Sequence, residues 1–298
     1  MRGELRTMES MAKHTSWKAG GAARRFYRPA DRQDLIEFLS SLDADEKLEW
    51  VGLGSNLLVR DGGFDGTVIH SKGCLKDIDD VDATKFRAEA GVSCAVAARH
   101  AARQGLVGLE YFAGIPGTVG GALAMNAGAF NGETWNNVIS VEMINHQGDV
   151  VEREPAEFDI HYRYVKRPLQ HEWFLSATFQ LEKGDAGKAQ AQIRQLLDKR
   201  AASQPIGEAS CGSTFKNPQG DHAARLIEAA GLKGYCMGNA CISTKHANFL
   251  INQGGATATQ IEALADYVEE RVYAYSGIRL EREFHVIGDR LKESGHVS

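Results

Sequence analysis

Four glycines fall within eight residues in Gly114-Ile115-Pro116-Gly117-Thr118-Val119-Gly120-Gly121, a spacing whose natural chemistry is anion binding. Bare glycines let backbone N–H groups converge on an anion with no Cβ in the way, and Pro116 restricts the loop's entropy. A diphosphate is the guest such a loop suits. The stretch is not GxGxxG, and it lacks the Gly-Lys-Ser/Thr of a Walker A loop. Gly52-Leu53-Gly54 also departs from the dinucleotide-binding spacing, because Leu57 stands where the third glycine belongs. A tight turn between helix and strand is the plain alternative, and a glycine pair alone would favour it. The density of glycines here, with Asn126-Ala127-Gly128-Ala129 just downstream, favours the cradle.

The elements that must position these loops can be read from periodicity. Residues 31–42 put Leu35, Ile36, Leu39 and Leu42 at helical spacing. Residues 49–53, 57–59 and 67–70 read as short strands separated by glycine turns. Residues 93–105 form an alanine-rich helix, with Ser93 as N-cap and Gly105 just past its end. Residues 138–145 and 150–153 flank His146-Gln147-Gly148-Asp149 as a hairpin, and residues 173–181 alternate as one more strand. From Lys188 the character changes. Residues 189–202 place Ile193, Leu196 and Leu197 on one helical face, with Lys199 and Arg200 near the end. Residues 221–231 read as a capped helix, and Thr259-x-x-Glu262 as a capping box opening a helix that runs to Gly277. Residues 278–287 close the chain as an alternating strand. The expected organisation is α+β: residues 1–186 hold a cofactor, in subdomains 1–73 and 74–186, and residues 187–298 form a smaller domain that closes over it.

At 298 residues the chain is longer than one core usually serves. A hydrophobic content of 43% with 24% charged residues is ordinary for a globular protein, and a net charge of −5 leaves no basic surplus for nucleic acid. No apolar run reaches membrane-spanning length, and residues 1–13 lack a signal-peptide core. Cys74, Cys94, Cys211, Cys236 and Cys241 form no CxxC pair and are odd in number. Neither a disulfide framework nor a metal site is expected; reduced thiols in a cytoplasmic protein are the plain reading.

Taken together, Gly52-Leu53-Gly54-Ser55-Asn56-Leu57-Leu58, the loop 114–121 and Asn126-Ala127-Gly128-Ala129 resemble the UDP-N-acetylenolpyruvoylglucosamine reductases. The likeness begins near His14-Thr15-Ser16-Trp17. It continues through Tyr162-Arg163, Cys211-Gly212-Ser213-Thr214-Phe215-Lys216-Asn217-Pro218 and Leu280-Glu281-Arg282-Glu283, covering almost the whole chain. The glycine loops alone indicate only a broad FAD-binding fold; the stretch 212–218 makes the match specific. The resemblance implies an FAD-binding half of the vanillyl-alcohol oxidase and p-cresol methylhydroxylase type. It implies non-covalent FAD, NADPH as hydride donor, and UDP-N-acetylglucosamine enolpyruvate as substrate, in a monomer or weak homo-oligomer.

Residue by residue, the resemblance implies cofactor contacts at Gly52, Gly54, Ser55, Asn56, Gly114, Ile115, Pro116, Gly117, Thr118, Gly120, Gly121, Asn126, Gly128 and Ala129. Ser213 matches the family's proton donor, although on its own it reads as a turn organiser before Asn217-Pro218. Arg163 matches an active-site arginine suited to clamping a carboxylate, against the alternative of a basic surface stretch with Lys166 and Arg167. Val165 stands where many members carry serine two residues after that arginine. Glu283 matches the catalytic glutamate, on the strand face shared by Arg279, Glu281 and His285, with Glu281 as its rival. Asn217 matches a substrate contact, and Lys216, Lys199 and Arg200 are cations that a diphosphate could use. The short interval from Arg163 to Ser213 implies the subclass without an extra tyrosine-bearing loop. Two other readings stand beside this one. A flavin-tethered oxidase of the same broad fold would not need the 212–218 stretch, and a non-catalytic flavin-binding module would not need Arg163, Ser213 and Glu283.

Overall fold

The computed structural model describes residues 1–291. The chain forms two compact units. The first comprises Met1–Leu5, Tyr27–Leu53 and Val68–Ala202, and the second Arg6–Phe26, Gly54–Thr67 and Ser203–Ser298.

In the first unit an antiparallel five-stranded sheet runs in the order Val150–Arg153, Val138–Asn145, Glu172–Gln180, Lys85–Glu89, Ile78–Asp80. Helix α1 (Arg32–Ser40) starts where Asp31 accepts the Asp34 N–H at 2.9 Å, and it buries Leu35, Phe38 and Leu39. Helix α2 (Cys94–Arg103) is capped by Ser93, as expected, and buries Cys94, Ala97, Ala98, Ala101 and Ala102. Short side chains on this face let the helix lie close to the aromatic core of Phe86, Phe112 and Phe179. Helix α3 (Val119–Met125) follows the glycine loop. Helix α4 (Ala186–Ser203) buries Ala189 and Ile193 in this same core. It therefore belongs to the first unit rather than opening a separate domain at residue 187, and Lys199 and Arg200 go with it.

Glu142 links the sheet to α1. It accepts from Arg32 at 2.7 and 3.0 Å, from Arg87 at 2.6 and 2.9 Å, and from the Ser176 hydroxyl. Burial alone would raise its pKa, but these charge-assisted bonds prevail and hold it near about 2 against an ordinary value of 4.5. A carboxylate with a depressed folded pKa contributes stability fully above its unfolded pKa and loses it as pH falls through the folded one. Urea unfolding should show about 2–3 kcal/mol of wild-type stability disappearing between pH 5 and pH 2, and Glu142→Gln should largely remove that slope. Equal pH slopes for both proteins would refute the ion-pair account.

The second unit contains helices α5 (Ala223–Ala229) and α6 (Ala258–Ser276) and an antiparallel sheet of Cys236–Met237, Ala240–Ile242 and Leu250–Asn252. Its core takes Trp17, Ala19 and Leu58 from early in the chain. The Trp17 indole donates to the Leu250 carbonyl at 2.8 Å and packs edge-on to Phe284 at 5.0 Å. Because these early segments complete a late core, the two units are interleaved in sequence instead of divided near residue 186.

Three local expectations change. The capping box of α6 lies at Thr257 and Gln260, not Thr259 and Glu262; Thr259 instead donates its hydroxyl to Asp61 at 2.6 Å. Glu262 is buried and takes Arg60 on both oxygens, at 2.8 and 3.0 Å. The closing strand is only His285–Ile287, pairing in parallel with Leu57–Val59. Residues 281–283 give their backbone bonds to 214–216 instead. Finally, Cys236 and Cys241 form a disulfide across the first hairpin of the small sheet, while Cys74, Cys94 and Cys211 are free and buried. The odd cysteine number masked this pair, whose closeness comes from strand register.

Candidate active site

The first unit carries the glycine loop, and a reason for Gly52, Gly114 and Gly120 is visible there. A Cβ on Gly52 would sit 2.3 Å from the Thr118 hydroxyl, one on Gly120 would sit 2.8 Å from Ala90 Cβ, and one on Gly114 would sit 2.8 Å from the Phe130 ring. These three glycines are required by close packing of protein against protein. The Val119 and Gly120 N–H groups are committed to Val92 O at 2.8 Å and Ala90 O at 2.9 Å, and the Gly117 carbonyl accepts from Cys94 N–H at 3.0 Å. The backbone N–H groups suited to an incoming anion are therefore those of Gly117 and Thr118. Gly121 is exposed, and a Cβ there would meet only its own turn's Thr118 hydroxyl at 3.7 Å.

Asn126 ends α3 in the left-handed conformation, φ 48°. Its amide group donates to Glu133 at 2.9 Å and to His161 O at 3.1 Å, and accepts from Trp135 N–H at 3.2 Å. Asn126 thereby holds the 126–129 turn against the tip of the hairpin formed by Asp159–His161 and Tyr164–Lys166. At that tip Arg163 also adopts a left-handed φ of 55°. Its guanidinium donates to Asn126 O at 3.2 Å and Gly128 O at 2.8 Å, and it lies 4.8 Å from the Tyr162 ring. The structure thus brings Arg163 onto the Asn126–Ala129 turn, distinct from its basic sequence neighbours. Arg167 instead donates to the Glu172 carbonyl.

Gly54, Ser55 and Asn56 fall in the second unit. Gly54 has φ 62°, and a Cβ there would lie 1.9 Å from His14 O, so no other residue fits without moving the backbone. Asn56 donates through its side chain to Glu283 O at 3.0 Å and accepts from His285 N–H at 2.9 Å.

The segment bearing Ser213 is framed on both sides. Phe215 and Arg282 form an antiparallel bridge, with Glu283 N–H to Thr214 O and Lys216 N–H to Glu281 O both at 2.8 Å. On its other side, Asn248 accepts the Thr214 N–H at 2.8 Å and the Phe215 N–H at 3.0 Å, and donates to Phe215 O at 2.8 Å. Gly212, at φ 82°, turns the chain just before Ser213. Thr214, the neighbour of Ser213 in the chain, therefore stands opposite Glu283. Burial pushes the Cys211 thiol well above its usual range, and the nearby Glu283 carboxylate adds to that shift. Glu281 points elsewhere: its side chain is 75% exposed and pairs with Lys216 at 3.3 Å. Asn217 uses its side-chain oxygen to accept the Ala223 N–H at 3.0 Å, capping α5. Asn248 was not singled out from the sequence, although a buried asparagine opening the apolar run Asn248-Phe249-Leu250-Ile251 was a usable signal.

Comparison with known proteins defines the class first. Residues 23–153 match an FAD binding domain family, and residues 204–287 match the C-terminal domain of UDP-N-acetylenolpyruvoylglucosamine reductase. With its α+β architecture, the chain is an FAD-dependent oxidoreductase. A UDP-N-acetylenolpyruvoylglucosamine reductase of Coxiella burnetii is 52% identical over 97% of this chain and 97% of its own. One of Alkalilimnicola ehrlichii is 55% identical over 96% of each. The crystal structure of the Thermus caldophilus enzyme, 31% identical, superposes with a TM-score of 0.79 over 96% of this chain and 99% of that one. The chain belongs to the UDP-N-acetylenolpyruvoylglucosamine reductase family. Among the described residues no helix is long and apolar enough to cross a membrane.

Proposed function

We propose that this protein uses NADPH and FAD to reduce the enolpyruvyl group of UDP-N-acetylglucosamine enolpyruvate, giving UDP-N-acetylmuramate for peptidoglycan precursor synthesis. The observation that supports the reading is the pairing of segment 214–216 with 281–283, which sets Thr214, next in the chain to Ser213, opposite Glu283.

The residues fit a dinucleotide cofactor: a Gly117–Thr118 pair of N–H groups is suited to a diphosphate, beside a bare, exposed Gly121. Gly52, Gly114, Ile115, Pro116, Gly120 and the Asn126–Ala129 turn shape that loop; Gly54, Ser55 and Asn56 are further residues assigned to the cofactor. Bound FAD would accept hydride from NADPH and supply it to the terminal carbon of the enolpyruvyl double bond. Negative charge then builds on the substrate carboxylate, and the Arg163 guanidinium is the group assigned to meet it. Ser213 donates the proton to the carbon next to the carboxylate, completing conversion of CH2=C to CH3–CH. Glu283, not the exposed Glu281, is the carboxylate assigned to this step. Asn217 is assigned to a substrate contact, to which Lys216 adds charge, and Lys199 and Arg200 to the UDP diphosphate. A soluble nucleotide-sugar substrate and a nicotinamide donor fit a cytoplasmic monomer or weak homo-oligomer.

The direct test is an anaerobic absorbance series on the purified protein. The flavin band should be present, should bleach with NADPH, and should return with enolpyruvyl substrate; acid should release the flavin into the supernatant. Flavin retained in the acid pellet would instead favour a tethered oxidase, and failure of substrate to restore the band would overturn the assignment.

A further inference from the structure

Cys236 and Cys241 stand opposite one another as register partners in the hairpin of Cys236–Met237 and Ala240–Ile242. We propose that this pair is a reversible thiol–disulfide site, entered at Cys236 and resolved by Cys241, through which low-molecular-weight disulfides and thiols oxidise and reduce the protein.

The frame that holds the two sulfurs together does not depend on their bond. Ile242 N–H donates to Tyr235 O at 2.8 Å, and Gly234 N–H donates to Ile242 O at 3.1 Å, immediately beside the pair. Beyond the pair, Gly238 and Asn239 make the turn. Gly238 has φ 60°, and a Cβ there would lie 2.3 Å from the Gln260 side chain, so the turn is seated against the start of α6. Asn239 O accepts the Gln253 N–H at 2.9 Å, tying the turn to the next strand. Tyr235 stacks on Tyr267 of α6 at 4.9 Å. With both ends of the hairpin fixed by other contacts, the dithiol form keeps its sulfurs within reach, and closure is an intramolecular step at high effective concentration.

Exposure assigns the order of events. Cys236 is exposed, whereas Cys241 is 3% exposed. In the oxidising direction the Cys236 thiolate attacks a disulfide such as oxidised glutathione, and one thiolate leaves. The Cys241 thiolate then attacks the Cys236 sulfur and expels the second. The protein loses two electrons and two protons, and one disulfide molecule becomes two thiols. In the reducing direction a thiolate attacks the exposed Cys236 sulfur and the steps reverse. Cys74, Cys94 and Cys211 are all buried, and burial raises each thiol, Cys74 to about 11. Exchange is therefore confined to the hairpin pair.

The test equilibrates the FAD-bound protein in glutathione buffers from fully reduced to fully oxidised, quenches with a thiol alkylating agent and maps the peptides. Labels at Cys236 and Cys241 should be lost together as the buffer becomes oxidising and regained together on return, with the other three cysteines unlabelled throughout. Cys241→Ser should trap Cys236 as a stable mixed disulfide with glutathione. Cys236→Ser should slow modification of Cys241 by roughly tenfold or more. Reduction should lower the wild-type thermal midpoint by about 5 °C, and the double serine variant should melt at the reduced value in every buffer. The proposal fails if both cysteines remain fully labelled in oxidising buffer, or if the pair resists reduction in the folded protein. It also fails if mixed disulfide accumulates on wild type without closing. The wild-type labelling decides the matter even where a serine variant folds poorly.

Discussion

Ser213→Ala should leave NADPH-driven flavin bleaching at close to the wild-type rate, while reoxidation by enolpyruvyl substrate slows by roughly 10²–10⁴-fold or more. The asymmetry follows from the role proposed for the hydroxyl, which is needed only when carbon is protonated. The substitution should cost little structure. The segment is framed through Thr214, Phe215 and Lys216 backbone bonds and the Asn248 side chain, none of which involves the Ser213 hydroxyl. Glu283→Gln should show the same one-sided defect, whereas Glu281→Gln, at an exposed position, should leave both steps near normal. Stopped-flow absorbance of the flavin band measures both steps in one preparation. Equal slowing of the two would assign Ser213 a structural role, and an unchanged second step would end its candidacy as proton donor.

Trp17→Ala should be the most destabilising single change in the second unit, costing about 3–5 kcal/mol by cavity formation and lost transfer energy. That is a large share of the roughly 5–15 kcal/mol by which domains are stable. Trp17 is 0% exposed, packs on Phe284 and donates to Leu250 O. Trp17→Phe keeps most of the ring volume but leaves the Leu250 carbonyl without its donor, so about 1–2 kcal/mol should be lost instead. Urea denaturation of the three proteins orders these effects. A loss below about 1 kcal/mol for the alanine variant would mean that Trp17 is not a core residue of this unit.

Local signals were legible in the sequence where their physics is local. Ser93 caps its helix as read, the helical spacing from residue 31 gives a helix, and the 138–153 hairpin has its expected strands, because caps, periodicity and turns are set within a few residues. The two-unit arrangement was not legible, since Trp17 and Leu58 are recruited by residues far along the chain. The box at Thr257 was missed because an equivalent spacing recurs two residues later, and tertiary contact with Asp61 decides between them. At the site, the density of glycines was readable but the reason for each was not. Gly52 and Gly120 are dictated by Thr118 and Ala90, which only folding brings close. The left-handed Arg163 and the Cys236–Cys241 pairing likewise depend on hairpin register.

The bond from Trp17 to Leu250 spans 233 residues, and synthesis runs in one direction. At about 5–20 residues per second, roughly 10–50 s separate the appearance of the indole from that of its acceptor. During that interval residues 27–202, which supply almost all of the first unit, are already translated and free to consolidate. The N-terminal strands meanwhile carry an apolar tryptophan with nowhere to bury it. The second unit is thus obliged to complete its core late, and Arg6–Phe26 must be kept from mispairing throughout that interval.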